Sequence, residues 1–178
     1  MNRVLGAAGA AWGILGAAGL LGLAIFRLHR VALEAFVAKP LGPGSWLAAL
    51  GLMALLGYFM GHRGLARAFA PRVVSRALHL ARHPRPLHVA LAPLYCIGLV
   101  HASRRRLVAS WALVASMASL VFAVRLLPQP ARGFLDAGVV VGAAWGAAAI
   151  LVIAGRAIGG RPPEVAVELP ARGAADGA

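Results

Sequence analysis

VLGAAGAAWGILGAAGLLGLAIF, residues 4–26, runs for 23 positions without a charged residue or a proline. As a helix it rises ~35 Å, more than the ~30 Å hydrocarbon core of a bilayer. Only Arg3 precedes it as a basic residue, and the apolar run is too long for a signal-peptide core. It therefore reads as an uncleaved first membrane span. Three further segments have the same character: 45–61 (SWLAALGLMALLGYFMG), 107–127 and 136–158. Composition agrees, because only 13% of the 178 residues are charged, about half the fraction usual in soluble domains. The expected fold is all-α: one polytopic membrane domain over 1–160 with about four transmembrane helices. Residues 161–178 are polar, rich in Pro and Gly, and hold Glu164, Glu168 and Asp176, the composition of a disordered tail.

One apolar segment, PLHVALAPLYCIGLVHAS (86–103), is ambiguous. Its 18 residues barely reach across a bilayer, and Pro93 interrupts it. It is either a fifth, short span or a re-entrant or interfacial element. Charge separates these alternatives through the excess of Lys and Arg on cytoplasmic loops. With four spans and both termini cytoplasmic, thirteen basic residues lie inside and five outside; with five spans the count is nine on each side. The four-span arrangement is the expected one. There are 17 arginines and one lysine, Lys39, a bias typical of a GC-rich genome, so the expected location is a bacterial inner membrane.

HRGLARAFAPRVVSRALHLARHPR, residues 62–85, carries six arginines and three histidines and no carboxylate. Pro71 suits a first helical turn and Pro84 a stop, which predicts a helix over 71–83. On a helical wheel one arc collects Arg72, Ser75, Arg76, His79, Arg82 and His83. The other collects Val73, Val74, Ala77, Leu78, Leu80 and Ala81. Such a helix is amphipathic, its aliphatic arc buried by acyl chains or under the bundle and its basic arc offered to anionic headgroups. The candidate headgroup contacts are Arg63, Arg67, Arg72, Arg76, Arg82, Arg85 and the run Arg104, Arg105 and Arg106. Nucleic acid is not an expected partner, because no DNA- or RNA-binding motif accompanies the charge and the apolar arc needs a cover that nucleic acid does not provide.

The histidines raise two further possibilities. His79 and His83 form HLARH, whose rings share a helical face as metal chelation requires. The pattern is similar to a histidine box of membrane desaturases and hydroxylases. Those enzymes also use adjacent His–His pairs, and this chain has none; nor has it a carboxylate between Glu34 and Asp136. A haem would need only two of His62, His88 and His101. No cofactor is expected, since interfacial histidines account for the pattern. The lone Cys96 excludes an internal disulfide and reads as a buried, inert thiol. Asp136, which opens the last span, reads as a helix-start acid near Arg125 or Arg132 rather than a coupling carboxylate.

Helix association in lipid depends on small residues that let backbones approach. Gly9 and Gly13 in the first span, and Gly138, Gly142 and Gly146 in the last, are the candidate packing positions. The pentapeptide GAAWG occurs at 9–13 and again at 142–146. That suggests two glycine faces packed on each other, although chance accounts for it in a chain this rich in Ala and Gly. No catalytic residue emerges, and a non-enzymatic accessory or scaffold subunit is the expected class. Its partners would be anionic lipid and a protein partner or a second copy. The alternatives are a small membrane enzyme or redox subunit built on the histidines, and a transporter protomer. Reporter fusions after Arg85 and after Arg132 should give opposite-side signals; same-side signals would establish five spans.

Overall fold

The structure is a computed structural model. It describes residues 2–37, 40–83, 86–99 and 122–165, together with 107, 108, 111, 112, 115 and 119. Every regular element among the described residues is a helix: α1 (Asn2–Val37), α2 (Pro43–Leu56), a π-helical run (Gly57–Phe69), α3 (Ala70–Arg82), α4 (Pro86–Ala90), α5 (Ala92–Ile97) and α6 (Ala131–Ile158). Three helical stretches are long and apolar enough to cross a membrane: Val4–Val37, Pro43–Arg82 and Ala131–Ile158. The described residues are thus all-helical, with the long apolar helices of a membrane protein. The described residues of the expected span at 107–127 are helical as far as Arg125, with Leu126 and Leu127 in a turn, and the rest of that segment lies outside the described residues. The same holds for most of the tail, from residue 166 onward.

Helix α1 continues well past its uncharged stretch, through Arg27, Arg30 and Glu34. Nothing between 27 and 37 breaks a helix, and Ala32 and Ala35 are buried there. After Pro40 and Leu41 the chain turns back, and Gly42 caps α2 with Pro43 in its first turn. Phe36 meets both Trp46 and Phe134 at ring-centroid distances of 5.5 Å. These contacts tie the end of α1 to the starts of α2 and α6. At the other end Gly6 of α1 lies against the backbone of Ala81. The 43–82 helix and α6 therefore run parallel to each other and antiparallel to α1.

The amphipathic segment is not a separate helix. Residues 43–82 form one continuous stretch, and the expected break before Pro71 is absent. The physical reason lies in the π-helical run ahead of it, where the amide of Ala70 bonds back to the carbonyl of Leu65, five residues away. The wider turn displaces the carbonyl that a proline ring would strike in a regular α-helix. It also sets a register. Gly57 lies against Val141, Gly61 against Gly142 and Leu65 against Gly146, and Ala70 is fully buried. The spacings are four, four and five. An α-helix, turning ~100° per residue, would carry Ala70 roughly 140° away from the face of Gly57.

The last helix presents Gly138, Gly142 and Gly146 to this ridge. A Cβ at Gly138 would come within 2.6 Å of Leu56, and one at Gly61 within 3.0 Å of the Gly142 backbone. Gly9 and Gly13 face a different partner: Val89 of α4, and Cys96 and Ala92 of α5. The two GAAWG segments are therefore not packed glycine face to glycine face. Close approach of α1 to α6 occurs instead at Gly133, against Ala35 and the Val31 carbonyl.

Because the Gly61 and Gly142 backbones touch, Gly61→Ala should force the helices apart and cost about 1–3 kcal/mol, the usual range for overpacking. Gly19, where an added methyl group would meet nothing within 4 Å, should behave oppositely, Gly19→Ala gaining up to about 1 kcal/mol of helix propensity. Thermal unfolding in detergent reads both; equal shifts would show that the Gly61 contact does not hold the bundle.

Candidate functional site

Arg76 is the most buried charged side chain among the described residues, with 5% of its surface exposed. It lies in α3 beside Val73, Ala77 and Leu80, which form a core with Ala10 and Ala17 of α1, Ile150 of α6, and Ala92, Tyr95 and Cys96 of α5. The aliphatic arc of α3 is thus covered by neighbouring helices. The wheel sorts Val73, Val74, Ala77 and Leu80 to the buried side as observed, but Arg76 and Ser75 are buried too. They belong to the basic arc, and Arg76 is covered by Tyr95 of α5. Arg76 is the point at which headgroup contact fails: its guanidinium is turned to protein. Arg63, Arg67 and Arg82 are exposed and Arg72 is half-buried. Arg85, Arg104, Arg105 and Arg106 lie outside the described residues.

A buried cation needs compensation. Glu34 and Asp136 are the nearest acids on either side in sequence, so no carboxylate on α2 to α5 can supply it. Arg76 Nη1 donates to the Tyr95 carbonyl oxygen at 2.6 Å, and its guanidinium carbon stands 5.1 Å from the centre of the Tyr95 ring. Both contacts are favourable for a cation: an end carbonyl of α5 carries partial negative charge, and an aromatic face is electron-rich. Tyr95 also stacks on His88 at 5.0 Å, the rings 19° from parallel. One arginine thus holds together α3, α4 and α5.

The local chain is built for this. Helix α5 ends at Gly98, whose φ of 89° is a left-handed conformation that favours glycine. Its amide donates to Tyr95 and Leu94, and Leu99 donates to Leu94, closing the last turn. Helices α4 and α5, of five and six residues, are each too short to cross a membrane. They lie along α1 between Gly9 and Gly16, with Pro93 against Gly16. The described part of 86–103 is a broken helical segment packed against α1 and α3, with Leu87, Leu91 and Leu94 exposed on its other side. Residues 100–103 lie outside the described residues.

The remaining candidates separate. His79 and His83 are brought together, stacked at 4.8 Å. Among the described residues no group of three His, Cys, Asp or Glu side chains converges as a metal site would require. His62 lies at another interface, stacked on Tyr58 at 5.8 Å and edge-on to Trp145 at 6.0 Å. It does not face His88, and His101 lies outside the described residues. Asp136 is buried beside Arg132 at 3.8 Å, the expected basic neighbour, but α6 begins at Ala131, so Asp136 lies beyond the first turn and is not a helix-start acid. Cys96 is buried, and loss of hydration pushes its thiol up to about 12, with Arg76 opposing. Tyr95 is the site residue that sequence reasoning missed. Its signal was a lone tyrosine in an apolar segment next to a helix with surplus arginine and no acid.

No family model, curated protein or solved structure matches the chain, so the reading rests on its own residues.

Arg76→Met should cost about 2–4 kcal/mol, the combined scale of a charged hydrogen bond and a cation–π contact. Arg72→Gln on the same helix should cost under about 0.5 kcal/mol. Because its thiol stays protonated and covered, Cys96 should resist maleimide at pH 8 in the native protein and react in the Arg76→Met variant. Equal thermal stability and equal labelling in the two variants would show that Arg76 is no clamp.

Proposed function

We propose that the protein is a non-enzymatic accessory or scaffold subunit of the bacterial inner membrane. Both termini are cytoplasmic, and a basic face contacts anionic headgroups or an acidic partner surface. The observation that carries this reading is the division of the 43–82 helix. Its first half, 45–61, holds no charge, while the second exposes Arg63, Arg67 and Arg82. No acidic residue occurs between 35 and 135 to neutralise them. Unpaired surface arginines next to a span retain their charge for an external anion, and anionic lipid contributes about 1 kcal/mol for each.

The Arg76 junction supports an architectural role. A guanidinium committed to a carbonyl and a ring positions a broken segment within the bundle, which is the work of a scaffold. Four spans and this orientation follow from the thirteen-to-five distribution of positive charge.

The test uses the full chain in nanodiscs. Replacing Arg63, Arg67 and Arg82 with Gln removes about 3 kcal/mol of attraction and should lower phosphatidylglycerol binding on the order of a hundredfold. The wild-type preference over phosphatidylcholine should fade with added salt. Anionic-lipid binding that is indifferent to both the substitutions and salt would refute the proposal.

A further inference from the structure

The 43–82 helix and its apolar neighbours are out of step along the bundle. In α6 no residue from 137 to 155 is charged, a run of 19 residues that rises ~28 Å and so matches the hydrocarbon core. Its midpoint is Gly146, and the side chain that packs there is Leu65. Arg63 and Arg67 stand two residues to either side of Leu65, within ~3 Å of that level along the axis. Helix α1 gives the same depth. Ala81 lies against Gly6, near the start of the uncharged run 4–26. Arg67 is fourteen residues back from Ala81, which places it ~20 Å along that ~35 Å run. The charged half of the 43–82 helix thus lies beside the apolar stretches of both neighbours. Its uncharged half, 45–61, is offset toward the end where Phe36 meets Trp46.

Arg63 and Arg67 are exposed, and among the described residues neither has an ion pair or a hydrogen bond. A lone cation at this depth is costly, and an arginine side chain falls well short of either surface, ~15 Å away. The chain cannot neutralise them itself, because no residue from 35 to 135 is acidic. Glu34 and Asp136 belong to the end where α1 finishes and α6 begins, and Glu164 follows α6. Glu168 and Asp176 belong to the polar tail. A second copy in the same orientation brings the same five acids at the same levels. Headgroup phosphates reach Arg63 and Arg67 only if the bilayer thins around them. A carboxylate on a membrane-spanning helix arrives at the right depth without that deformation.

We infer that Arg63 and Arg67 are the docking point for a transmembrane helix of a partner protein, one that carries carboxylates near its middle. Gly64, between the two arginines, is exposed, and among the described residues nothing from another helix lies within 4 Å of where its side chain would start. A partner backbone can therefore come close, and Asp or Glu residues one turn apart can pair with the two guanidinium groups. The inference rests on reading the exposed arginines as a surface that awaits an anion. For these two it selects the acidic partner over the headgroups, which remain the contact of Arg82.

The test places the full chain in phosphatidylcholine vesicles with a synthetic Leu/Ala helix of ~20 residues, long enough to span, bearing two central Asp residues four apart. A twin peptide carries Asn at both positions, and energy transfer between labelled chain and peptide reads association. The Asp peptide should bind at least about tenfold more tightly than its twin, the lower end of what a desolvated charge pair contributes. Replacing Arg63 and Arg67 together with Gln should abolish the preference, and Arg156→Gln should leave it unchanged. Cys96 should stay closed to maleimide in both variants, showing that the bundle is intact. Equal binding of the two peptides overturns the inference, as does a preference that survives the double substitution. A preference that phosphatidylglycerol abolishes overturns it too. That result assigns the arginines to headgroups and leaves the accessory-subunit reading standing.

Discussion

A guanidinium buried in a helical bundle, with no carboxylate on its own helix or on α4 and α5, is held here by dipoles. Arg76 meets that constraint through the Tyr95 carbonyl and the Tyr95 ring, and the shape of one end of the molecule follows from it. For an end carbonyl to face Arg76, α5 must stop at Gly98 in a left-handed turn. For α5 to come close enough, α1 must present Gly9, Gly13 and Gly16 where any larger residue would collide. The segment that fills the space between α1 and α3 is consequently short, broken and stacked through His88. A salt bridge would have made fewer demands, because a carboxylate on a flexible side chain can seek its partner. A backbone carbonyl cannot, so the positioning falls to glycine and to the helix end.

The other end of the bundle depends on shape rather than charge. Here the glycine ridge of α6 receives the 43–82 helix, and the π-helical run keeps Gly57, Gly61 and Leu65 facing it while Ala70 stays buried. Phe36, Trp46 and Phe134 then close the turn between α1 and α2. Dispersion between close backbones suits a lipid-exposed protein, because the hydrophobic effect adds nothing between helices already surrounded by hydrocarbon.

The apolar stretches at 4–26, 45–61 and 136–158 were legible in the residues because long runs with few or no charges permit few other structures, but the joining of 45–61 to 71–83 in one helix was not. The aliphatic arc of α3 was legible for the same kind of reason: Val73, Val74, Ala77 and Leu80 recur at helical spacing. What was not legible is what covers each arc. A wheel shows which side chains share a face, but Arg76 differs from Arg72 only in having α5 above it, and that depends on a loop whose path no periodicity encodes. The π-helical run was hidden by the use of an α-helical repeat, under which Gly57 and Ala70 lie on different faces. Glycine at spacing four was easy to see in α1 and α6, yet the spacing alone could not say that the two ridges serve different partners. Tyr95 went unnoticed because one tyrosine in an apolar run has no pattern. Its role emerges only from the charge that must be accommodated nearby.

At 1.5 Å per residue, α1 is ~54 Å long and α6 ~42 Å, and the 43–82 helix, shortened by its π-helical run, is somewhat under ~60 Å, against a hydrocarbon core of ~30 Å. The excess is continuous helix, so whatever lies beyond the hydrocarbon core at the arginine-bearing end is a direct extension of a stretch long and apolar enough to cross it.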